Sequence, residues 1–542
     1  MTHLQESNTE KVKKIARATI DFLITHPQTN RTKITNIKAK FAKEFSYAGV
    51  IKNATILETA TKEEKQLITQ ILKRRQTRTL SGVSVIAIMT KPLPCPGTCI
   101  YCPGQDSQPG ERVAQSYTGR EPAAMRSIHH NYDPYLQVQS RINDLEAIGH
   151  TVDKIELIIM GGTFLSTDPK YQEEFIKGAL EGIIEQRVNT LGEAKNLAEN
   201  SKRRVIGVTI ETRPDYCKEK DVDRMLNYGT TRVEIGIQTV YNDIFKLIKR
   251  KHTTFDSKEA LRIAKDAGLK INAHIMPNLP GSDILRDRDL FNELYSNSEY
   301  RPDMLKIYPT LVINGTELYN WWKKGNYSPY KDNELIELIA RVKMSLPPYV
   351  RIQRIMRDIP ANLIEAGCKN SNLRQLIHER LREMDETCKC IRCREYGLIK
   401  RKRDINEMSF DKINLYRFDY DASQGKEIFL SYENMKEDYL IGYLRLRKPS
   451  EFAHRSELND GKTMIVREIK VVGELVPKDL KPNFFTQIQH RGYGKLLMNN
   501  AEKISTEEFD AKKLAVISGI GAKSYFYEMG YEPDGVYVSK ML

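Results

Sequence analysis

The segment Pro94-Cys95-Pro96-Gly97-Thr98-Cys99-Ile100-Tyr101-Cys102-Pro103-Gly104 carries three cysteines at C-x3-C-x2-C spacing. It follows Val83–Met89, an apolar run of strand length. Thiolates are soft ligands, suited to iron–sulfur clusters or zinc. Three of them on one Pro/Gly-rich loop can converge on one metal centre. A four-iron cluster held by only three cysteines keeps one iron open for a further ligand. A structural zinc completed by a distant residue is the alternative.

Outward from this loop, strand-like runs alternate with helical patterns to about residue 310. Residues 155–160, 205–210, 232–237 and 271–275 are predicted strands, with 304–308 a weaker one. Between them lie stretches such as 256–267, long enough for crossover helices. Repeated βα units predict an α/β fold with a parallel sheet, a partial (β/α) TIM-like barrel. Such sheets carry their chemistry at the C-terminal ends of the strands. The pattern divides the chain into a basic helical segment (1–80), an α/β core (81–340), a metal-binding linker (341–400) and a C-terminal α/β domain (401–542). Arg401-Lys402-Arg403 marks the last boundary.

The linker holds a second cluster, Cys388-Lys389-Cys390-Ile391-Arg392-Cys393. With one more donor it closes a tetrahedral zinc site that staples domains together. His378, on a predicted helix 372–384, and Cys368 are both candidates for that donor, and a second iron–sulfur cluster is the alternative. Further on, Gln489-His490-Arg491-Gly492-Tyr493-Gly494-Lys495 precedes a patterned helix at 494–507. Exposed N–H groups at a helix start favour a phosphate, and glycines let the backbone come close. Flanking strands are expected at 464–471 and 514–517.

The 542 residues include 85 Lys+Arg against 71 Asp+Glu, a net charge of +14. Residues 1–80 alone hold 16 Lys and Arg but 7 Asp and Glu. That asymmetry suits a basic arm for nucleic acid; a solvated helical face is the plainer reading. Within it Val12, Ile15, Ala16, Ile20, Leu23 and Ile24 follow helical spacing and Pro27 stops the run, while Lys73-Arg74-Arg75 and Arg78 close the segment. A mean hydropathy of −0.52 and the lack of a run of about 18 apolar residues exclude a membrane-spanning helix. The start, Met1-Thr2-His3-Leu4-Gln5-Glu6, does not look like a secretory signal. Six of eight cysteines fall in the two tight clusters, which favours metal ligation in a reducing, cytoplasmic compartment over disulfides.

The first loop resembles the motif of the radical S-adenosylmethionine (SAM) superfamily. There the open iron binds SAM, which is cleaved to a 5′-deoxyadenosyl radical. The likeness extends to Gly161 and Gly162, which match glycines contacting the SAM amino group, and to Glu211-Thr212-Arg213-Pro214-Asp215 and Gly236-Ile237-Gln238. The second motif resembles the pyrophosphate loop of GNAT N-acetyltransferases. That resemblance implies acetyl-CoA contacts at Glu468, Ile469, Lys470, Val471, Tyr493, Gly494 and Lys495. Where that family often carries an acidic tyrosine, this chain has Phe526, flanked by Tyr525 and Tyr527, so Tyr525 is the better proton donor. Core packing is the plain alternative for all three.

The two modules together, with Gln115-Ser116-Tyr117-Thr118-Gly119-Arg120-Glu121-Pro122 and Asp133-Pro134-Tyr135-Leu136-Gln137, resemble the Elongator catalytic-subunit family of tRNA uridine acetyltransferases. The likeness is to an archaeal or bacterial form. The resemblance implies a [4Fe-4S] cluster on Cys95, Cys99 and Cys102, with SAM and acetyl-CoA as further cofactors; Zn2+ is expected from the linker cysteines alone. Lys154 matches a lysine at the acetyl-CoA site of the radical core. The implied reaction forms 5-carboxymethyluridine at the tRNA wobble position, by radical addition of the acetyl carbon to C5. The implied partner is a tRNA anticodon stem-loop held by the basic segment, with no membrane and with room for a homodimer. C5 of uridine is a poor nucleophile, so a carbon–carbon bond there calls for a radical or a covalent adduct, which a cofactor supplies. The competing readings are a protein lysine acetyltransferase with a structural iron–sulfur domain, and an inactive tRNA scaffold.

Overall fold

In a computed structural model, the structure describes residues 7–72, 82–104, 112–400, 412–472 and 492–542. Lys73-Arg74-Arg75, Arg78, Arg401-Lys402-Arg403 and Gln489-His490-Arg491 lie outside the described residues. The chain forms two compact units: residues 1–84 with 139–154, and 85–138 with 155–542.

The first unit contains the helices Asn8–Thr25, Arg31–Glu44, Asn53–Thr59 and Lys62–Leu72. Ser7 and Asn30 cap the first two by accepting from the N–H three residues on. The first helix ends at Thr25, before Pro27. Its apolar stripe, Ile15, Ala16, Ile20 and Leu23, meets Ile34, Ile56, Leu57 and Ile68 in a small core of its own. Arg17 ties the first helix to the fourth through Glu64, at 2.6 Å.

The strands run, in chain order, β1 (Val83–Met89), β2 (Lys154–Met160), β3 (Arg204–Thr212), β4 (Thr230–Gln238), β5 (Lys270–Ile275), β6 (Met304–Ile307), β7 (Val312–Ile313), β8 (Arg351–Ile355) and β9 (Ile364–Ala366). Seven of them form one sheet in the order β1-β2-β3-β4-β5-β6-β8, and β3 through β8 pair in parallel. This is the expected half-barrel. Helices such as Thr254–Asp266 cross between strands, as the apolar spacing there requires. Strand β4 is buried along its whole length.

The C-terminal region adds β10 (Asn414–Ala422), β11 (Gly425–Asn434), β12 (Tyr439–Lys448), β13 (Thr463–Val471), β14 (Lys513–Val516), β15 (Glu532–Asp534) and β16 (Tyr537–Met541). Their order is β10-β11-β12-β13-β14-β16-β15. All neighbours are antiparallel except β13 and β14, which are parallel and joined through the helix Tyr493–Phe509. This α/β domain packs on the N-terminal ends of the half-barrel strands. A Cβ on Gly519 would overlap the backbone of Ile206, at the start of β3. Asp303, just before β6, receives Arg467 of β13 at 2.6 Å, and Arg447 of β12 reaches Asp266 at 2.6 Å. No described helix is long and apolar enough to cross a membrane.

Candidate active site

The cysteine loop lies at the C-terminal end of the half-barrel sheet, between β1 and the helix Pro122–His129. Backbone bonds pin it. The N–H of Ile100 donates to the carbonyl of Ile248, and the N–H of Leu318 to the carbonyl of Ile100. Each thiol has its own neighbour: Cys95 Sγ lies 3.5 Å from Thr163 Oγ1, and Cys102 Sγ 2.9 Å from Ser116 Oγ. Arg250 Nη1 lies 3.5 Å from Cys99 Sγ, while its Nη2 donates to the carbonyl of Gly236. Burial and the neighbouring Cys99 push the Cys102 thiol up to about 11, so metal loading must displace protons.

The donor set fits a multi-iron cluster. Among the described residues, two groups of three donors lie within 4.8 Å of one another: Cys388, Cys390, Cys393 and Glu211, Glu234, His274. Cys95, Cys99 and Cys102 are not such a group. Three soft thiolates on one loop suit an iron–sulfur core, each holding one iron. Around the loop the backbone turns tightly. Gly161 and Gly162 follow β2 with φ of +119° and +51°, left-handed values that glycine tolerates. A Cβ on Gly161 would sit 2.5 Å from Thr90 Oγ1. Among the described residues two buried polar atoms there have no protein partner, Gln238 Oε1 at the end of β4 and Arg213 Nη1 beside Gly97.

In the C-terminal domain, β14 pairs with β13 only over Thr463–Val466 and Lys513–Val516. Strand β13 runs on through Glu468, Ile469, Lys470 and Val471 beyond the end of that pairing. Beyond that pairing β13 runs toward the start of the helix Tyr493–Phe509, where Val471 and Tyr493 share one apolar cluster, and Gly492 enters that helix with φ +83°. The Tyr525 hydroxyl lies against Gly494, so closely that a Cβ there would overlap it. Burial raises the Tyr525 phenol, keeping it protonated as a donor. Phe526 packs in the core instead, its ring edge-on to Tyr525 and Tyr531. Of the two, it is Tyr525 that reaches the start of the helix Tyr493–Phe509. Tyr527 turns away to donate to Glu199 at 3.0 Å. Glu468 is engaged by Tyr443 at 3.0 Å and Arg445 at 2.9 Å, and Lys495 is exposed. Lys154 opens β2, about 20 Å along the strand from Gly161.

In the linker, His378 Nε2 lies 3.7 Å from Cys393 Sγ. Cys368 lies instead with Asp332 and Asn370. Of the two candidates for a fourth donor, His378 is the one beside the trio.

A radical SAM superfamily model matches residues 94–291, and a Radical_SAM C-terminal domain model matches 302–383. An ELP3 N-terminal domain model matches 11–80. The tRNA uridine(34) acetyltransferase of Methanocaldococcus jannaschii is 46% identical over 537 residues, 98% of each chain. This chain belongs to that family. Elongator complex protein 3 of Saccharomyces cerevisiae is 41% identical over 526 residues, 96% of this chain and 94% of the yeast one. The structure of an archaeal Methanocaldococcus infernus Elp3 lacking its N-terminus superposes with a TM-score of 0.75 at 43% identity. It covers 85% of this chain and 99% of that one.

Within this Elongator-type half-barrel, sequence reading missed the polar groups inside the sheet. Arg250 stands beside the cluster loop although its sequence setting, Lys249-Arg250-Lys251, reads as a surface run. Glu234, Lys306 and His274 interrupt apolar strands, and that interruption was the available signal. Deeper along the same interior, Arg232 pairs with Glu156, and burial pulls Lys270 down to about 8.

Proposed function

We propose that this chain converts the wobble uridine of tRNA to 5-carboxymethyluridine, using acetyl-CoA and SAM. The observation that carries the reading is the joining, in one compact unit, of a three-cysteine loop at one end of a half-barrel and, at the other, a sheet whose strand β13 runs past its partner β14 to a glycine-led helix start. The 46% identity to a tRNA uridine(34) acetyltransferase over 537 residues supports it.

Cys95, Cys99 and Cys102 would hold the [4Fe-4S] cluster, with Arg250 against Cys99 and the Gly161–Gly162 turn, next to the Thr163 that contacts Cys95, as the SAM-binding strand end. Together, when bound, these cofactors supply a 5′-deoxyadenosyl radical that takes a hydrogen atom from the acetyl methyl group. The acetyl-derived carbon would bond to C5 of the uridine, the C5 proton and one electron leaving, the electron to an acceptor of the oxidised iron–sulfur class, and hydrolysis of the thioester would free the carboxymethyl product and coenzyme A. The start of the helix Tyr493–Phe509 faces the pyrophosphate with its free N–H groups. Lys495 adds charge, the edge of β13 from Glu468 to Val471 pairs the pantetheine arm, and Tyr525 protonates the departing thiolate. Lys154 belongs to the acetyl-CoA path in the half-barrel. Cys388, Cys390, Cys393 and His378 hold one zinc that braces the linker. The basic helices of residues 1–80 contact tRNA phosphates.

The test is anaerobic reconstitution with iron, sulfide, SAM, reductant, acetyl-CoA and tRNA, followed by mass spectrometry of the nucleosides. The expected result is tRNA-dependent 5-carboxymethyluridine together with 5′-deoxyadenosine. Acetyl-lysine on a peptide substrate, with unmodified tRNA, would favour a protein acetyltransferase instead.

A further inference from the structure

The inner face of the half-barrel carries a charged group that ligation of the cluster does not use. Glu211, Glu234, His274 and Lys306 stand on the adjacent strands β3 to β6. Glu211 is in register with Glu234, and His274 with Lys306. Glu234 is fully buried. Burial alone would raise its carboxyl, but Lys306 and His274 hold it well below the usual carboxylate range. The Lys306 ammonium contacts Glu234 and lies 3.4 Å from Glu211. An ammonium thus fills the place that a metal ion would take among Glu211, Glu234 and His274.

His274 Nε2 lies 2.7 Å from Glu234 Oε2. A carboxylate there fixes the tautomer, so Nε2 carries the hydrogen and Nδ1 keeps its lone pair. Among the described residues Nδ1 has no protein hydrogen-bond partner. The His274 side chain keeps 13% of its surface exposed where Glu234 keeps none. Its ring stands edge-on to Tyr308 at 5.4 Å, and Tyr308 packs against the apolar cluster that holds Cys99. From the other side Tyr117, next to the Ser116 that contacts Cys102, donates to Glu211 at 2.8 Å. His274 therefore opens on the same end of the sheet as the cysteine loop.

We propose that His274 is a catalytic base, its Nδ1 taking the C5 proton of the uridine once the acetyl-derived carbon has bonded to C5. This rests on the function proposed above. Carbon–carbon bond formation leaves an unpaired electron at C6 and a hydrogen still on C5. The C5=C6 double bond returns when the C5–H bond breaks. The proton goes to Nδ1, and one electron leaves to an acceptor of the oxidised iron–sulfur class. Glu234 stabilises the imidazolium so formed, and Lys306 keeps Glu234 anionic throughout. Glu211 of β3, Tyr308 after β6 and Arg354 of β8 complete the charged and titratable surroundings.

The test uses the reconstituted holoenzyme with tRNA, SAM, acetyl-CoA and reductant. It reads the ratio of 5-carboxymethyluridine to 5′-deoxyadenosine. His274→Ala is expected to lower that ratio about a hundredfold, the scale of a lost general base, and added imidazole to restore part of it. With tRNA deuterated at uridine C5, His274→Gln is expected to show the loss together with an isotope effect that wild type lacks. A ratio within about twofold of wild type in either variant overturns the proposal, as does an alanine variant whose loss imidazole leaves untouched. Failure of the functional reading shows differently, as a wild-type enzyme that forms no carboxymethyluridine.

Discussion

Gly494 lies where the Tyr525 hydroxyl and the start of the helix Tyr493–Phe509 meet. Gly494→Ala must displace the phenol, and we expect about a tenfold weaker acetyl-CoA affinity, measured by calorimetry. Tyr525→Phe keeps the ring packing and removes the donor. Release of free coenzyme A thiol is expected to fall about a hundredfold with affinity little changed. Sequence reading placed Tyr525 and Phe526 side by side. Only the helix phase, which sends Phe526 into the core with Tyr531 and Leu497, separates them. Similarly, spacing alone could not choose between His378 and Cys368, because the choice depends on how one helix lies over a loop.

At the scale of elements, β2 through β5 were legible because their outward faces are apolar and buried. Strand β8 was not. Arg351, Gln353 and Arg354 make it read as polar, yet it pairs in parallel with β6, because the inner face of this half-barrel is lined with charge. The linker shows another limit of local sequence. Its helices Ile391–Arg394 and Tyr396–Ile399 are four residues each, too short to persist alone. Arg351 holds Glu395, and the N–H of Ile391 donates to the carbonyl of Val350, so the linker rests on β8. With the zinc proposed for Cys388, Cys390 and Cys393, Cys390→Ala is expected to abolish zinc binding and to destabilise the protein by on the order of 4 kcal/mol, the scale of a lost metal site. Metal analysis and denaturant titration check both parts.

Across the larger unit, the half-barrel and the C-terminal domain are joined by buried ion pairs. Arg467 bridges Asp303 and Glu427, and Arg447 bridges Asp266 and Glu427; all five side chains are almost wholly buried. Burial alone would raise the Asp303 carboxyl, but Arg467, Lys265 and Arg445 hold it below its usual range. A depressed carboxyl contributes stability above its unfolded value and loses it as the pH falls. Unfolding temperature is thus expected to drop below about pH 4, and Asp303→Asn to cost about 3–5 kcal/mol at neutral pH by stranding Arg467. The role proposed for the basic helices of the smaller unit rests on charge. Reversing the exposed Lys33, Lys40 and Lys43 is expected to weaken tRNA binding. It should also flatten the salt dependence, by about one unit of log–log slope for every phosphate the protein ceases to neutralise. Filter binding over a salt series reads this.

The central claim is that a radical formed at the cysteine loop takes hydrogen from the acetyl methyl group. It is tested most directly with acetyl-CoA carrying a trideuterated methyl group. The account predicts one deuterium in the 5′-deoxyadenosine and two in the carboxymethyl group of the wobble uridine. Deuterium-free 5′-deoxyadenosine, formed alongside modified tRNA, would contradict it.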